Sequence, residues 1–160
     1  MRPTRCALPI VTLVAFVILT MSPAAAWADT KIEAMFAAVV GAVSERTGLE
    51  FEPLLSTTDG CRPSGDLCEG YFGNTQVRAW GRGVLTVFTY SDVPFARYKA
   101  ICGASLRALT GLSTKNSERT VEEAFAQAAE RGRYKRDHAG VELEVRPDLS
   151  DRLGCELFAY

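Results

Sequence analysis

The sequence GRGVLTVFTY, from Gly81 to Tyr90, is the strongest strand-forming run that follows the N-terminal segment. From Val84 onward it consists of β-branched and aromatic residues with one leucine, and these side chains favour a pleated, buried strand. Apolar residues occupy both alternating sets of positions, which predicts a central strand that is covered on both faces. Such a strand needs further layers of secondary structure, which the neighbouring segments must supply.

The segment Tyr71 to Gly81, just before this strand, predicts two short strands joined by a turn at Gly73. Trp80 lies at its end, close in sequence to Arg78 and Arg82. These three side chains could form an aromatic, cationic contact surface, which makes them a candidate binding site. The alternative is a tryptophan that covers the sheet with arginines stacked on it.

The first helix is predicted between Thr30 and Gly48. Thr30 and Glu33 have the spacing of a capping box, and Gly48 is a suitable C-terminal stop. Apolar residues recur at the spacing of one helical face, which should pack on the sheet: Ile32, Met35, Phe36, Val39, Val40 and Val43. A short edge strand is expected in Leu49 to Leu55, where Pro53 limits pairing.

Two further helices are predicted after the central strand. Ser91 and Asp92 are expected to cap the second, which Gly111 should end. A polar link would follow, and Thr120 with Glu123 forms the capping box from which we expect the third helix to start. Both helices carry an apolar stripe that suits packing on a sheet.

The remaining sequence predicts an antiparallel hairpin. Val141 to Arg146 alternates apolar and charged residues, which indicates a half-buried strand with Glu142 and Glu144 facing solvent, and Cys155 to Tyr160 is expected to pair with it. The complete order predicts an α+β fold, with a mostly antiparallel sheet of about five strands covered by three helices. We expect a single small domain from residue 29 to residue 160.

Residues 1–28 have the three parts of a cleavable secretory signal peptide. Arg2 and Arg5 precede the apolar run Ala7 to Leu19, and small residues lead to a cleavage site after Ala28. We therefore expect a periplasmic or secreted bacterial protein without a transmembrane segment after cleavage. Loss of two of the 18 basic residues leaves 16 against 19 acidic ones, and this net charge of −3 gives no basis for nucleic-acid binding.

Four cysteines remain after cleavage, and an even number in an exported chain indicates disulfides. Of the three pairings we favour Cys61 with Cys68 and Cys102 with Cys155, because the first pair lies within the turn-rich loop Ser56 to Gly70. This loop is also a candidate partner contact. Zinc is the alternative, but the chain has one histidine and its cysteine spacing matches no zinc motif, so we expect no metal and no cofactor.

A basic segment follows the third predicted helix. Four cations within six residues would suit an anionic partner such as a glycan, a lipid headgroup or a polypeptide: Arg131, Arg133, Lys135 and Arg136. The alternative is a favourable placement of cations at a helix C-terminus, followed by a solvated turn. His138, beside Asp137, is the single histidine and would titrate near neutral pH.

No nucleophile, acid and base stand together in the sequence, so we predict an exported, non-enzymatic envelope protein that interacts through its surface. One alternative is a small hydrolase that uses a pair of carboxylates, with five candidates: Glu50, Glu52, Asp137, Glu142 and Glu144. It requires a cleft with two carboxylates about 5 to 10 Å apart, one with a raised pKa. Another alternative is an inhibitor or chaperone of a second exported protein, with an exposed apolar patch near Trp80 and Tyr71.

Overall fold

The structure of the protein is a computed structural model that describes residues 32–55, 57–89, 92–147 and 153–159. The signal peptide predicted in residues 1–28 lies outside the described residues, and so do Thr30 of the first capping box and Ser91 of the second helix cap. The structural statements below concern the described residues.

Three helices and seven strands make up this part of the chain. The helices are α1 Ile32–Thr47, α2 Phe95–Thr110 and α3 Thr114–Arg131. The strands are β1 Glu52–Pro53, β2 Leu67–Phe72, β3 Thr75–Trp80, β4 Val84–Thr89, β5 Tyr134–His138, β6 Val141–Pro147 and β7 Leu153–Ala159. None of the helices found here combines the length and the apolar character that a bilayer crossing needs.

All seven strands belong to one antiparallel sheet in the order β1-β2-β3-β4-β7-β6-β5. The predicted α+β class with an antiparallel sheet is confirmed, whereas the expected number of about five strands is wrong. The basic segment, for which a solvated turn was one interpretation, supplies β5, a strand that the sequence did not predict. It folds back on β6 through Ala139 and Gly140, whose φ angles of 55° and 84° suit the tight turn of a hairpin.

The helices lie on one face of the sheet. There α1 contacts β2 and β3, α2 contacts β4, β6 and β7, and α3 contacts β5 and β6. The core is formed by these helices and by one alternating set of strand residues, including Val77, Leu85, Val87, Leu143 and Leu157. The expectation that β4 is covered on both faces is wrong, because the face opposite the helices leaves Phe88 36% exposed.

Two helix starts differ from their predictions. Pro94 precedes α2 without any capping hydrogen bond from its side chain, so the cap expected near Asp92 is not what starts the helix. For α3, the hydroxyl of Ser113 accepts a hydrogen bond from the backbone N–H of Asn116, and the helix starts six residues before Thr120. Most of the segment expected as a polar link therefore belongs to α3, and Ser113 caps this helix.

Both favoured disulfides are confirmed, with S–S distances of 2.04 Å for Cys61–Cys68 and 2.07 Å for Cys102–Cys155. The first closes the loop that leads into β2. The second joins α2 to β7 and so ties the helical layer to the sheet. Disulfides of this kind persist in oxidising compartments outside the cytosol.

Phe51, just before β1, closes one end of the core. Its ring packs edge-on against Phe36 of α1 at 5.5 Å between centroids, and it packs in a tilted arrangement against Phe72 of β2 at 5.4 Å. The ring also lies over Gly70, where a Cβ atom would overlap it and would stand 2.6 Å from the carbonyl oxygen of Glu52. The absence of a side chain at Gly70 is what allows the segment containing Phe51 to pack against β2.

Replacing Gly70 by alanine should therefore lower the free energy of unfolding by about 1 to 3 kcal/mol, the usual cost of overpacking. Gly41→Ala is the matched control, because an added Cβ in α1 meets nothing within 4 Å and alanine favours a helix by about 0.5 to 1 kcal/mol over glycine. Urea unfolding followed by circular dichroism measures both. Equal stabilities of the two variants would contradict this packing role.

Removing the Cys102–Cys155 bridge should cost more stability than removing Cys61–Cys68. The two bridges span sequence separations of 53 and 7 residues, which correspond to about 4 and about 2.5 kcal/mol of loop-closure free energy. Denaturant unfolding of the two double-alanine variants under oxidising conditions makes the comparison. If removal of Cys61–Cys68 lowers the free energy of unfolding more than removal of Cys102–Cys155, loop-closure entropy does not explain the contributions of the two bridges.

Candidate functional site

The face of the sheet opposite the helices, called the open face below, carries two sets of side chains that cross the strands. Leu67, Trp80, Val84 and Phe158 lie side by side in register on β2, β3, β4 and β7, and we call them the apolar strip. Leu67 is buried and the other three are half-buried. Large apolar side chains that remain partly exposed in a row are a common feature of contact surfaces.

Cations lie beside both aromatic residues of the apolar strip. The guanidinium of Arg78 lies 5.3 Å from the ring centroid of Trp80, and the ammonium of Lys135 lies 6.0 Å from that of Phe158. Arg82 is exposed in the turn between β3 and β4. The open face thus brings together Trp80, Arg78 and one member of the basic segment, Lys135, while Arg82 stands at its margin.

A second set of side chains, the charged row, runs parallel to the apolar strip. It consists of Glu69, Arg78, Thr86, Glu156 and Glu144, which follow one another in register from β2 to β6. Two carboxylates directly opposite each other on β7 and β6 repel and would destabilise the pairing unless cations offset them.

Arg133 and Arg146 supply this compensation at Glu144. Arg133 Nη2 lies 2.9 Å from Glu144 Oε2, and Arg146 donates a hydrogen bond to the other carboxylate oxygen. The side chain of Glu144 is only 3% exposed, so the expectation that it faces solvent is wrong. Burial by itself raises the pKa of Glu144, but the hydrogen bonds from both arginines outweigh it and hold this pKa below its ordinary value.

The basic segment does not form one patch. Arg131 ends α3, while Arg133 is bound to Glu144. Lys135 pairs with Glu142 at 2.7 Å, and the guanidinium of Arg136 lies 5.9 Å from the ring centroid of Tyr134. Two of the four cations are therefore engaged by carboxylates of β6. Arg131 and Arg136 form no ion pair with a carboxylate in the described part of the chain.

Tyr134 and His138 form a second titratable contact, on the helix-covered side of β5. The tyrosine oxygen lies 2.9 Å from His138 Nε2, and the two rings are stacked. Burial is the main cause that lowers the pKa of His138, and the positive charge of Arg136 acts in the same direction. Burial also raises the pKa of the Tyr134 hydroxyl. Neutral His138 can accept the hydrogen bond that Tyr134 donates.

The described carboxyl groups with a displaced pKa are poor candidates for a general acid. For Asp59, Asp66 and Glu144 alike, the pKa lies below the ordinary value. A glycosidase-like acid needs the opposite displacement. No group of three or more histidine, cysteine, aspartate or glutamate side chains stands in a metal-binding arrangement within the ranges that the structure covers.

An open groove of about 540 Å³ lies on the helical layer, where α1 meets the junction of α2 and α3. Small residues such as Ala38, Ala42 and Ala108 make up much of its lining. Arg107, at its margin, is bound to Glu45 through a contact of 2.6 Å. Ser113 and Thr114 are the other polar residues of its lining.

Several residues of the open face did not stand out in the sequence. Phe158 and Glu156 join Trp80 on one surface only because β7 pairs with β4 in a particular register, whereas Phe88 lies there through the pairing of β3 with β4. The alternation of residues within a strand predicts which face of the sheet each side chain occupies. The register between β4 and β7, about 70 residues apart, cannot be predicted from the local sequence of either strand.

No protein-family model matches the chain, and neither the curated proteins nor the solved structures contain a match. The open face is the candidate site because of its own side chains and their arrangement.

Acidification should destabilise the protein through His138. Because its folded-state pKa lies below 6.5, the unfolded chain binds the proton more readily, so stability present above pH 6.5 is lost as the pH falls toward the folded pKa. Thermal unfolding between about pH 7.5 and about pH 5.5 should show this loss in the wild type, since His138 is the only histidine. His138→Gln retains an acceptor for Tyr134 and should be flatter across this range. The assignment to His138 fails when both proteins follow the same pH profile.

Proposed function

We propose that this protein is an exported, non-enzymatic binding protein of the bacterial envelope and that it engages another envelope protein through the open face. The observation that carries the proposal is the one-sided cover of the sheet. Seven strands form a broad surface, helices occupy one side, and the other side presents half-buried aromatic residues among charges. Trp80, Phe158 and Arg78 are the residues on which binding would depend most.

The composition of the apolar strip supports a protein partner. Tryptophan, tyrosine and arginine dominate the binding energy of many protein interfaces, because they bury a large rigid area or make directional charged contacts. Across β2, β3, β4 and β7 the apolar strip extends about 14 Å, three strand spacings. A segment laid over it would bury Trp80 and Phe158 and would keep the cations Arg78 and Lys135 at its edges.

The dimensions of the open face also support a protein partner. The six described strands β2 to β7 have five to seven residues and are spaced about 4.8 Å apart, which gives a surface of roughly 24 Å by 20 Å, on the order of 500 Å². One partner contributes about 800 Å² to a standard protein interface. The open face with its bordering turns therefore suits an interface of modest size.

Export is supported by the two disulfides and by the signal-like composition of residues 1–28. The carboxylate hydrolase receives less support. Its general acid requires a raised pKa, and the pKa of the buried carboxyl Glu144 is lowered instead. An inhibitor or chaperone of an exported protein is the variant of the binding function that the apolar strip favours.

The test replaces Trp80 and Phe158 together by serine and compares capture of proteins from periplasmic extract by the oxidised mature protein. The wild type should retain a specific protein, and the double variant should retain it at least about tenfold less, because interface aromatic residues often contribute 2 kcal/mol or more each. The matched control replaces Lys115 and Glu130, two exposed residues of α3, by serine. It should bind like the wild type.

Both variants must unfold cooperatively and contain both disulfides, so that lost binding reports on the surface and not on folding. Equal capture by the Trp80 and Phe158 variant, or equal loss in the α3 control, would place the interface elsewhere. A wild-type protein that captures nothing would overturn the proposal of a protein partner.

A further inference from the structure

Strand β5 is the last strand at one edge of the described sheet. The neighbouring strand on its inner side is β6, and no described strand pairs with its outer side. The turn at Ala139 and Gly140 leaves His138 and Val141 as the pair that closes the hairpin. In a two-residue hairpin this closing pair is hydrogen-bonded, and hydrogen-bonded pairs then alternate along the strand.

The alternation determines which backbone groups of β5 are available. Tyr134, Arg136 and His138 direct their N–H and C=O groups toward β6, so Lys135 and Asp137 direct theirs outward. Two donors and two acceptors in line are the template onto which an additional strand can be hydrogen-bonded. The opposite edge of the sheet differs, because β1 has two residues and one of them is Pro53, which has no N–H to donate.

Charge determines which strand this edge can accept. The segment 131–138 carries four cations and one anion, Asp137. All four cations are exposed, and Arg131 and Arg136 have no carboxylate partner in the described ranges. A second copy of β5 would bring the same positive charge against it, which opposes pairing between two copies. An acidic strand would instead meet complementary charges.

We propose that the outer edge of β5 binds an extended, acidic segment of a partner polypeptide, which adds to the sheet as an eighth strand. Its backbone would pair with the outward groups of Lys135 and Asp137. Because side chains alternate along a strand, an acidic residue on one side would approach Lys135 and one on the other side would approach Arg136. The cations thus act as a selectivity device, discouraging self-pairing and favouring an acidic strand.

This contact surface adjoins the open face at Lys135, whose ammonium lies 6.0 Å from the Phe158 ring centroid, but it does not rest on binding by the apolar strip. The two can be tested independently, since their decisive residues differ. If the open face binds no partner, the proposal for the edge of β5 still stands. If the edge of β5 binds no acidic strand, the proposal for the open face still stands.

The probe is a synthetic peptide of about eight residues that alternates valine and glutamate, a length typical of a strand. Its affinity for the oxidised protein is measured by calorimetry at low salt. A peptide of the same sequence with N-methyl groups on alternate residues has the same charge but cannot pair along the methylated edge. We expect the N-methylated peptide to bind at least about tenfold more weakly, the effect of losing one or two net hydrogen bonds.

Two substitutions at one position isolate the backbone donor of β5. Lys135→Pro removes the outward N–H, which an edge strand tolerates, and Lys135→Ala retains it. Both lose the same ion pair with Glu142, so the difference between them reports on the N–H and on the backbone restriction that proline adds. We expect the proline variant to bind the unmethylated peptide about tenfold more weakly than the alanine variant. In the wild type, the peptide should slow hydrogen exchange at the amides of Lys135 and Asp137.

Equal affinity of the methylated and unmethylated peptides would overturn the proposal, because binding would then depend on charge alone. That comparison uses only wild-type protein and remains valid if the proline variant does not fold. Unchanged exchange at Lys135 and Asp137 in the presence of bound peptide would also overturn it. So would concentration-dependent dimerisation that protects these two amides, since the occupant of the edge would then be a second copy.

Discussion

The pairing of β4 with β7 joins two meanders into one sheet, and the rest of the structure depends on it. Val84 lies opposite Phe158, and Val87 lies opposite Cys155. The helix α2 is fixed over this junction by the disulfide to Cys155 and by the Tyr98 hydroxyl, which donates to the backbone oxygen of Val87 at 3.4 Å. Tyr98 is fully buried, so this contact lies in the core.

The same pairing produces the asymmetry of the sheet. Both helices between the meanders must pack on the side where α2 is attached, and α1 joins them there. The other side is left with Trp80, Phe88 and Phe158 only partly covered. Like charges also face each other there, at Glu144 and Glu156, and arginines from outside the charged row are needed to offset them. The proposed contact with a partner would account for exposed aromatic residues and opposed carboxylates on this face.

Much of the fold was readable from local patterns. Apolar alternation predicts the strands β3 and β6, and the spacing of apolar residues predicts the helix α1. The glycine after α2 predicts where that helix ends. The strand β5 was missed because its sequence, YKRDH, has no apolar alternation, and it becomes a strand through the tight turn and its pairing with β6. The candidate site was readable only around Trp80, where sequence neighbours are also spatial neighbours. The burial of Glu144 could not be predicted from the sequence, because both arginines that cover it adopt their positions only in the folded hairpin.

The position of β7 in the chain affects when the protein can fold. It follows every other described element, yet it occupies the centre of the sheet and holds one cysteine of the longer bridge. A chain from which β7 has not yet emerged leaves β4 with an unpaired edge and Cys102 as a free thiol. Long-range pairings of this kind also form slowly, because loop-closure entropy must be overcome first. The sheet therefore cannot be completed before its last described strand is available for pairing.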